Sequence, residues 1–325
     1  MITTYVPTTD ALFGRPGFVT TEYFKTTPWI DLLNPTVDEE QHVEGLLGLD
    51  LPTREEMRVL EDSHRLFEAT GAIYLTATVM VNSDSEYPRT DELTFVLTKR
   101  CLVTVRYAEP KAIALFATRN AQPPLACASG ESALLGLLET LVERIAENIN
   151  AAGRSLDDMV HRVLSPDLGN PRAKLDYAAM LRSLERQQIL IAKARASLNS
   201  LTRVLNFINR PALEFDLTKS FRPRALTVLH DIQSLVDHTS FLANNISFEL
   251  AAILGMINIE QNGIIKIFSV AAVVFMPPTL VASIYGMNFH FMPELALRFG
   301  YPWALVAMLG SAVGTYGFFR RRGWL

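Results

Sequence analysis

The stretch that decides the fold is residues 263–295, which read GIIKIFSVAAVVFMPPTLVASIYGMNFHFMPEL. No Asp, Glu, Lys or Arg occurs from Ile267 to Pro293. Its helical part, Ile264 to Tyr285, is long enough to cross the hydrocarbon core of a bilayer, which needs about 20 residues. Lys266 stands at one edge of the run, where its side chain can reach the headgroups. The sequence therefore predicts a first transmembrane helix over 264–286.

A second uncharged run, from Tyr301 to Phe319, predicts a second transmembrane helix over 301–319. It opens with Tyr301 and Trp303, aromatic residues that favour the membrane interface. A pair of buried helices in a soluble core is the alternative interpretation. Two such runs side by side, the second followed by three consecutive arginines, favour the membrane.

The basic residues beside the two runs predict their orientation. Lys266 flanks the first run and three arginines lie in the tail, 320–325, whereas the connecting loop 287–300 holds one Arg and one Glu. An excess of basic residues stays on the cytosolic side. The first residues also lack the pattern of a cleavable signal peptide. We expect both termini in the cytosol, the loop outside, and the protein in the cell (inner) membrane.

Residues 1–128 have the pattern of a cytosolic α/β domain. Capping-box spacing occurs at Thr36 and Glu39 and again at Thr53 and Glu56, and each pair predicts the start of a helix. A hairpin turn is expected at 98–100, between two of the strands. The expected strands are Trp29–Leu33, Ala72–Asn82, Glu92–Lys99, Cys101–Tyr107 and, as a fourth β-rich stretch after 72, Ile113–Thr118.

Residues 129–263 are predicted to be a cytosolic helical region. Helices are expected over Glu131–Ala151, Leu156–Leu164 and Arg172–Asn209. A last helix begins near Pro223, and the next proline is Pro277. If this helix is unbroken to Tyr285, its roughly 63 residues span about 95 Å, so it must project from the membrane as a stalk.

One face of the first predicted membrane helix is less apolar than the others. Its members recur every three or four residues, and they are Asn262, Ile265, Ser269, Ala272, Met276, Thr279 and Ser283. Helix packing is the alternative interpretation, because small residues also line tight contacts in membranes. A pore would require several copies around an axis, since one stripe encloses nothing.

The end of this helix carries the most specific signal. Tyr285, Gly286, Met287 and Asn288 are followed by Met-Pro-Glu-Leu over 292–295, and this order resembles the CorA magnesium-transporter family. The GMN triplet is the defining motif of that family, and MPEL is typical of its magnesium-transporting members. The resemblance spans most of the chain, and it is strongest after Gly255.

The resemblance implies a homopentameric, funnel-shaped channel in which an α/β cytosolic domain and a long stalk helix lead into two transmembrane helices. The implied selectivity filter is Tyr285, Gly286, Met287 and Asn288. Thr279 and Asn262 would form polar rings along the pore, and Met276 an apolar constriction. The implied basic belt at the cytosolic surface is Lys266, Arg320, Arg321 and Arg322. Glu294 in the outer loop would raise the local cation concentration.

The resemblance also implies closure by cytosolic Mg²⁺, bound by acidic residues between subunits. The stalk position of a regulatory aspartate in one branch of the family holds Thr227 here. Asp231 and Asp237, on the same helix, are the candidate ligands, and ordinary solvated charges are the alternative interpretation of both.

These features predict a channel for potential-driven Mg²⁺ influx, with Co²⁺ and Ni²⁺ as further possible ions. The partners expected are copies of the same chain, the lipid bilayer and divalent metal ions. The sequence holds no nucleotide-binding, catalytic or nucleic-acid-binding motif, so we expect no enzyme, no organic cofactor and no nucleic-acid partner. Two alternatives stay open: a Zn²⁺ transporter of the ZntB type, and a membrane-anchored scaffold or sensor that conducts nothing.

Overall fold

The structure is a computed structural model of the chain. It describes residues 1–7, 12–17, 26–59, 65–85, 87–120, 129–164, 176–211, 213, 215, 217–287, 290, 292–293 and 299–323. Two of the predicted site residues, Asn288 and Glu294, lie outside this part of the chain. The chain divides into two compact units, Met1–Leu250 and Ala251–Leu325.

The first unit contains one mixed β-sheet. Its described strands are β1 (Ile2–Pro7), β2 (Leu12–Pro16), β3 (Trp29–Leu33), β4 (Leu66–Ala69), β5 (Ala72–Val81), β6 (Arg89–Thr98) and β7 (Leu102–Arg106). They lie in the order β2-β1-β3-β7-β6-β5-β4, and β3 and β7 run parallel while the other neighbours are antiparallel. The predicted strand β3 and the predicted turn between β6 and β7 are confirmed.

Two of the described helices lie between β3 and β4 in the chain, and the others follow β7. They are α1 (Val37–Leu47), α2 (Arg54–Val59), α3 (Lys111–Asn120), α4 (Gly130–Leu164), α5 (Tyr177–Ile208), α6 (Phe221–Tyr285) and α7 (Gly300–Arg321). Both predicted capping boxes are confirmed. The Glu39 amide donates to Thr36 Oγ1 at 3.3 Å and the Thr36 amide donates to Glu39 Oε2 at 2.9 Å. Thr53 and Glu56 make the same exchange at the start of α2.

Two secondary-structure predictions for the first unit were wrong. Residues 113–118 were expected as a strand, but they belong to α3, and Ala112, Ile113 and Phe116 form its buried face at helical spacing. The helices expected over 131–151 and 156–164 form one helix, α4. Gly153 lowers helix propensity by only about 1 kcal/mol, which packing of α4 against its neighbours outweighs.

A buried ion pair joins the neighbouring strands β3 and β7. Arg106 Nη2 donates to Asp31 Oδ2 at 2.8 Å, and the two side chains are 11 % and 2 % exposed. Thr104 Oγ1 donates to Asp31 Oδ1 at 2.6 Å and accepts from Trp29 Nε1 at 3.0 Å. The Trp29 ring stacks on Tyr5 with 3.9 Å between centroids. These contacts join β1, β3 and β7, the strands at which the sheet changes from antiparallel to parallel pairing.

The second unit consists of the last part of α6 followed by α7. The helix expected from near Pro223 is unbroken to Tyr285: α6 has 65 residues and runs through Pro277 and Pro278. It starts two residues before the predicted Pro223, and α7 extends slightly beyond the predicted 301–319 at each end.

Candidate functional site

The helices of the second unit are apolar and lie uncovered. In α6 the most apolar 18-residue window has a mean hydropathy of 2.1 and none of it is buried; in α7 the corresponding values are 1.2 and 6 %. A helix pair in a soluble core would be mostly buried, so that alternative is wrong. Tyr301 and Trp303, at the start of α7, are 77 % and 69 % exposed, as expected for residues at a membrane interface.

One face of α6 is turned toward α7. Partly buried residues recur along α6 every three or four positions, and they are Val270, Val273, Val274, Pro277, Pro278, Val281 and Tyr285. A groove lies between this face and α7, whose Thr315, Tyr316 and Phe319 line the other side. Over residues 266–274, this face of α6 therefore lies beside a helix of the same chain.

The predicted polar stripe lies on a different face. All seven residues, Asn262, Ile265, Ser269, Ala272, Met276, Thr279 and Ser283, are exposed in the unit. With 100° per residue, the centre of this stripe is roughly two fifths of a turn from the face that meets α7. Ser269 lies at the boundary and also lines the groove. Helix packing within the chain therefore does not account for the stripe.

The hydroxyl of Thr279 is oriented by the backbone of its own helix. Oγ1 lies 2.9 Å from the Phe275 carbonyl oxygen and 2.8 Å from that of Met276. Its proton is therefore donated inside the helix, and its lone pairs point away from these carbonyls. The water molecules of a hydrated cation present hydrogens outward, and a hydroxyl held in this way is suited to accept them.

The helix end at 285–287 brings the backbone into a tight turn. The Gly286 amide donates to the Ala282 carbonyl oxygen at 2.9 Å, and the Met287 amide donates to that of Ile284 at 3.3 Å. The φ angle of Gly286 is not in the left-handed region. A Cβ at this position would lie 3.2 Å from the Ala282 oxygen, so a side chain here would require a small shift of the backbone. Gly286 and Met287 are exposed, next to Asn288 in the chain.

The four predicted basic-belt residues flank the two apolar helices. Lys266 lines the groove beside Phe319, which directly precedes the three arginines. Arg320 and Arg321 form the last turn of α7. The Arg322 guanidinium lies 5.5 Å from the centre of the Phe318 ring, so part of this cluster is held against an aromatic surface.

The two candidate regulatory carboxylates lie in different surroundings on α6. Asp231 lines a cavity of about 460 Å³ between α4 and α6, together with Glu139 and Glu143. Arg224 Nη2 donates to both carboxylate oxygens of Glu139, each at 2.9 Å, and Arg119 pairs with Glu143, so both glutamates already have a cationic partner. Asp237 accepts from Gln233 Nε2 at 3.5 Å. Within the described residues, no cluster of three His, Cys, Asp or Glu side chains could hold a metal ion.

Sequence reasoning missed Tyr316 as a member of this region. Its ring lines the groove opposite Val270 and Val273, with Lys266 at the same groove. An aromatic residue one turn before a basic run was the available signal. Which face of α6 Tyr316 meets depends on how α6 and α7 pack, and the sequence of either helix alone does not predict that packing.

The α/β unit, the long helix and the exposed apolar helix pair define a membrane protein with a large N-terminal α/β portion. Residues 24–321 match the family described as CorA-like Mg²⁺ transporter protein, and the chain belongs to this family. The Magnesium transport protein CorA of Yersinia pseudotuberculosis is 36 % identical over 297 residues, which are 91 % of this chain and 92 % of that protein.

Two solved structures show the same fold. The complete CorA magnesium transporter of Methanocaldococcus jannaschii aligns with a TM-score of 0.76 at 18 % identity, over 100 % of this chain and 99 % of that one. The ZntB cytoplasmic domain of Vibrio parahaemolyticus aligns with a TM-score of 0.54 at 12 % identity, over 79 % and 97 %. The fold is therefore common to both types of protein, while the sequence match at 36 % favours the magnesium transporters.

Proposed function

We propose that this chain is a subunit of a homopentameric channel that carries Mg²⁺ into the cell. The observation that supports it is the polar stripe of α6, which is exposed and lies away from the face that meets α7. Copies arranged around an axis would bring their stripes together and enclose a path lined by small and polar residues. Met276, 67 % exposed, would form the apolar constriction in that path.

Selection of the ion is assigned to the residues at 285–288. Asn288 would offer a neutral amide oxygen from each subunit, beside the tight turn at Gly286. Mg²⁺ loses its waters reluctantly, so a ring of such oxygens binds the hydrated ion through hydrogen bonds at less cost than stripping it. Glu294 would add negative charge near the same mouth.

The membrane potential is sufficient to drive this uptake. With both termini in the cytosol, a divalent ion moving inward across about 100 mV releases roughly 4.6 kcal/mol, twice the value for one charge. That corresponds to a gradient of more than a thousandfold. The relatives at 36 % identity are named for magnesium transport, which favours Mg²⁺ over Zn²⁺ as the main ion; Co²⁺ and Ni²⁺ are further candidates.

Cytosolic Mg²⁺ would also act as the regulator. Asp231 is the candidate ligand in the first unit, because the two glutamates that share its cavity, Glu139 and Glu143, are already paired with Arg224 and Arg119. A further ligand would have to come from a neighbouring subunit, because no three candidate ligands come together within the described part of one chain.

The test is Mg²⁺ flux into proteoliposomes that hold the purified protein under an inside-negative potential. The wild type should conduct, and Asn288→Ala should abolish the flux. Asn199→Ala is the matched control, because Asn199 is an exposed asparagine on α5 and should have no effect. If the wild type carries Zn²⁺ with a pH gradient and not Mg²⁺, the ZntB type of transport is correct. If both ions fail, the transport proposal is wrong.

A further inference from the structure

The groove between α6 and α7 has the character of a binding site. Its volume is about 330 Å³, at the lower end of the range for small-molecule pockets. Val270, Val273, Val274 and Phe319 supply most of its lining. One charged group, the ammonium of Lys266, and one phenol, that of Tyr316, border the same space.

Neither polar group has a partner in the described part of the chain. Lys266 Nζ and the Tyr316 hydroxyl form no hydrogen bond or ion pair with another described residue. Both are exposed, Tyr316 to 44 %. A lysine and a tyrosine hydroxyl can both donate to an oxygen of a phosphate group. Arg320 follows Phe319 directly and adds a second positive charge at this end of the groove.

The second unit holds almost no carboxylate with which Lys266 could pair. Among its described residues the acidic one is Glu260, which lies six positions earlier on α6, about 9 Å along the helix axis. A second copy of the unit would bring the same shortage of acidic groups. In a membrane, the abundant anion at this depth is the headgroup phosphate of a lipid.

We propose that this groove binds an anionic phospholipid. One acyl chain lies along the valines of α6 and the ring of Phe319, and the headgroup phosphate accepts hydrogen bonds from Lys266 and Tyr316. The lipid thereby fills the space between the two helices and fixes their contact near the basic end of the unit. The proposal rests on the membrane location of the two helices, and it is independent of which ion is carried.

The experiment is native mass spectrometry of the full-length protein, delipidated in detergent and titrated with phosphatidylglycerol or with phosphatidylcholine of the same acyl chains. The wild type should bind phosphatidylglycerol more tightly. Lys266→Ala should weaken that binding about fivefold, the effect of one basic residue at the membrane surface, and weaken phosphatidylcholine binding less, because the choline cation offsets the charge of its phosphate. Lys266→Arg should restore it. The same spectra report the oligomeric mass, so a variant that fails to assemble is recognised directly.

A second variant tests the apolar part of the site. Val273→Phe fills the groove and should weaken binding of both lipids, whereas Val313→Phe, the same change at a position 64 % exposed on α7, should affect neither. Equal effects of Lys266→Ala and Arg322→Ala would show diffuse attraction to the basic surface and overturn the proposal. A change of oligomeric mass with Val273→Phe, with lipid binding intact, would show that a second copy occupies the groove. Lipid binding is read without ion flux, so its failure leaves the proposed transport untouched.

Discussion

Asp31 in the first unit and Thr279 in the second are both polar side chains among apolar neighbours, but their surroundings differ. Asp31 is 2 % exposed and accepts hydrogen bonds from Arg106 and Thr104. Thr279 is exposed, and within the described part of the chain its hydroxyl bonds only to carbonyls of its own helix. The first arrangement completes a polar network inside one chain. The second leaves the lone pairs of the Thr279 hydroxyl directed away from the helix, where lipid, another subunit or an ion in a pore can contact them.

This difference separates residues that hold the fold from residues that are available for function. A buried polar group is retained in a fold when its partners are present, because an unpaired one costs about 1–3 kcal/mol. An exposed polar stripe on a membrane helix is not stabilised by contacts with other elements of its own chain. It follows that substitutions in the first network should change stability, and substitutions in the stripe should change transport.

The largest expected effect is from Asp31→Ala. It leaves the Arg106 guanidinium buried without its charge partner, which costs about 3–5 kcal/mol of unfolding free energy. The measurement is denaturant unfolding of the purified protein, followed by the fluorescence of its tryptophans, of which Trp29 bonds to Thr104 in the same network.

Asp84→Ala is the matched control for that experiment. Asp84 pairs with Lys111 and Arg144, but its side chain is 49 % exposed. Solvent screens such pairs, so this variant should lose less than about 1 kcal/mol. Equal losses from the two variants would mean that burial does not determine the strength of these pairs, and the comparison would fail.

A smaller effect, on transport, is expected from Thr279→Val. The change keeps the shape of the side chain and removes the hydroxyl that would accept from the waters of a passing ion. A loss of one hydrogen bond of about 1.4 kcal/mol corresponds to a flux roughly tenfold lower in proteoliposomes. Stability in denaturant should stay unchanged.

Thr315→Val provides the control on α7. Thr315 Oγ1 donates to the Ser311 carbonyl oxygen at 2.7 Å, so the substitution removes the same kind of bond within a helix. Thr315 borders the groove instead of the stripe. The Mg²⁺ flux of the Thr315→Val variant should equal that of the wild type. If both variants lose flux alike, the hydroxyl acts through helix structure and the stripe has no special role.

The sequence predicts long, strongly patterned elements best. The α6 helix from near Pro223 to Tyr285 follows from the absence of prolines between Pro223 and Pro277 and from the apolar run that begins at Ile264, and both are local properties. The pairs Thr36–Glu39 and Thr53–Glu56 are also local, and their bonds form as predicted.

Elements that depend on distant partners were harder to predict. The strands β1 and β2 pair with each other and β1 also pairs with β3, so these N-terminal segments become strands through the sheet that receives them. Residues 113–118 form a short apolar run, which fits a strand or a helix equally well until the neighbouring surface is known. The stripe could be predicted from spacing within one helix, whereas the groove required knowledge of which faces of α6 and α7 meet.

The smallest expected effect is from Glu249→Gln in the first unit. Glu249 is 7 % exposed and, among the described residues, forms no hydrogen bond or ion pair. Burial raises the pKa of its carboxyl group, so the folded state disfavours the charged form. At pH 7 the carboxylate is charged in the unfolded chain, and folding therefore carries a cost that the neutral amide avoids. At pH 7 the free energy of unfolding of the variant should exceed that of the wild type by less than about 1 kcal/mol. This difference raises the melting temperature by at most about 4 °C.

This gain should depend on pH in a way that identifies its cause. The destabilisation by Glu249 is fully present above its raised pKa and is lost as the pH falls through the unfolded value near 4.3, below which both states are protonated. Melting curves from pH 7 to pH 4 should therefore converge for wild type and variant. Glu185→Gln, at an exposed position on α5, should show no difference at any pH. A variant less stable than the wild type at pH 7 would mean that the carboxylate has a partner in the assembled protein, and Glu249 would then belong with Asp31 among the residues that hold the structure together.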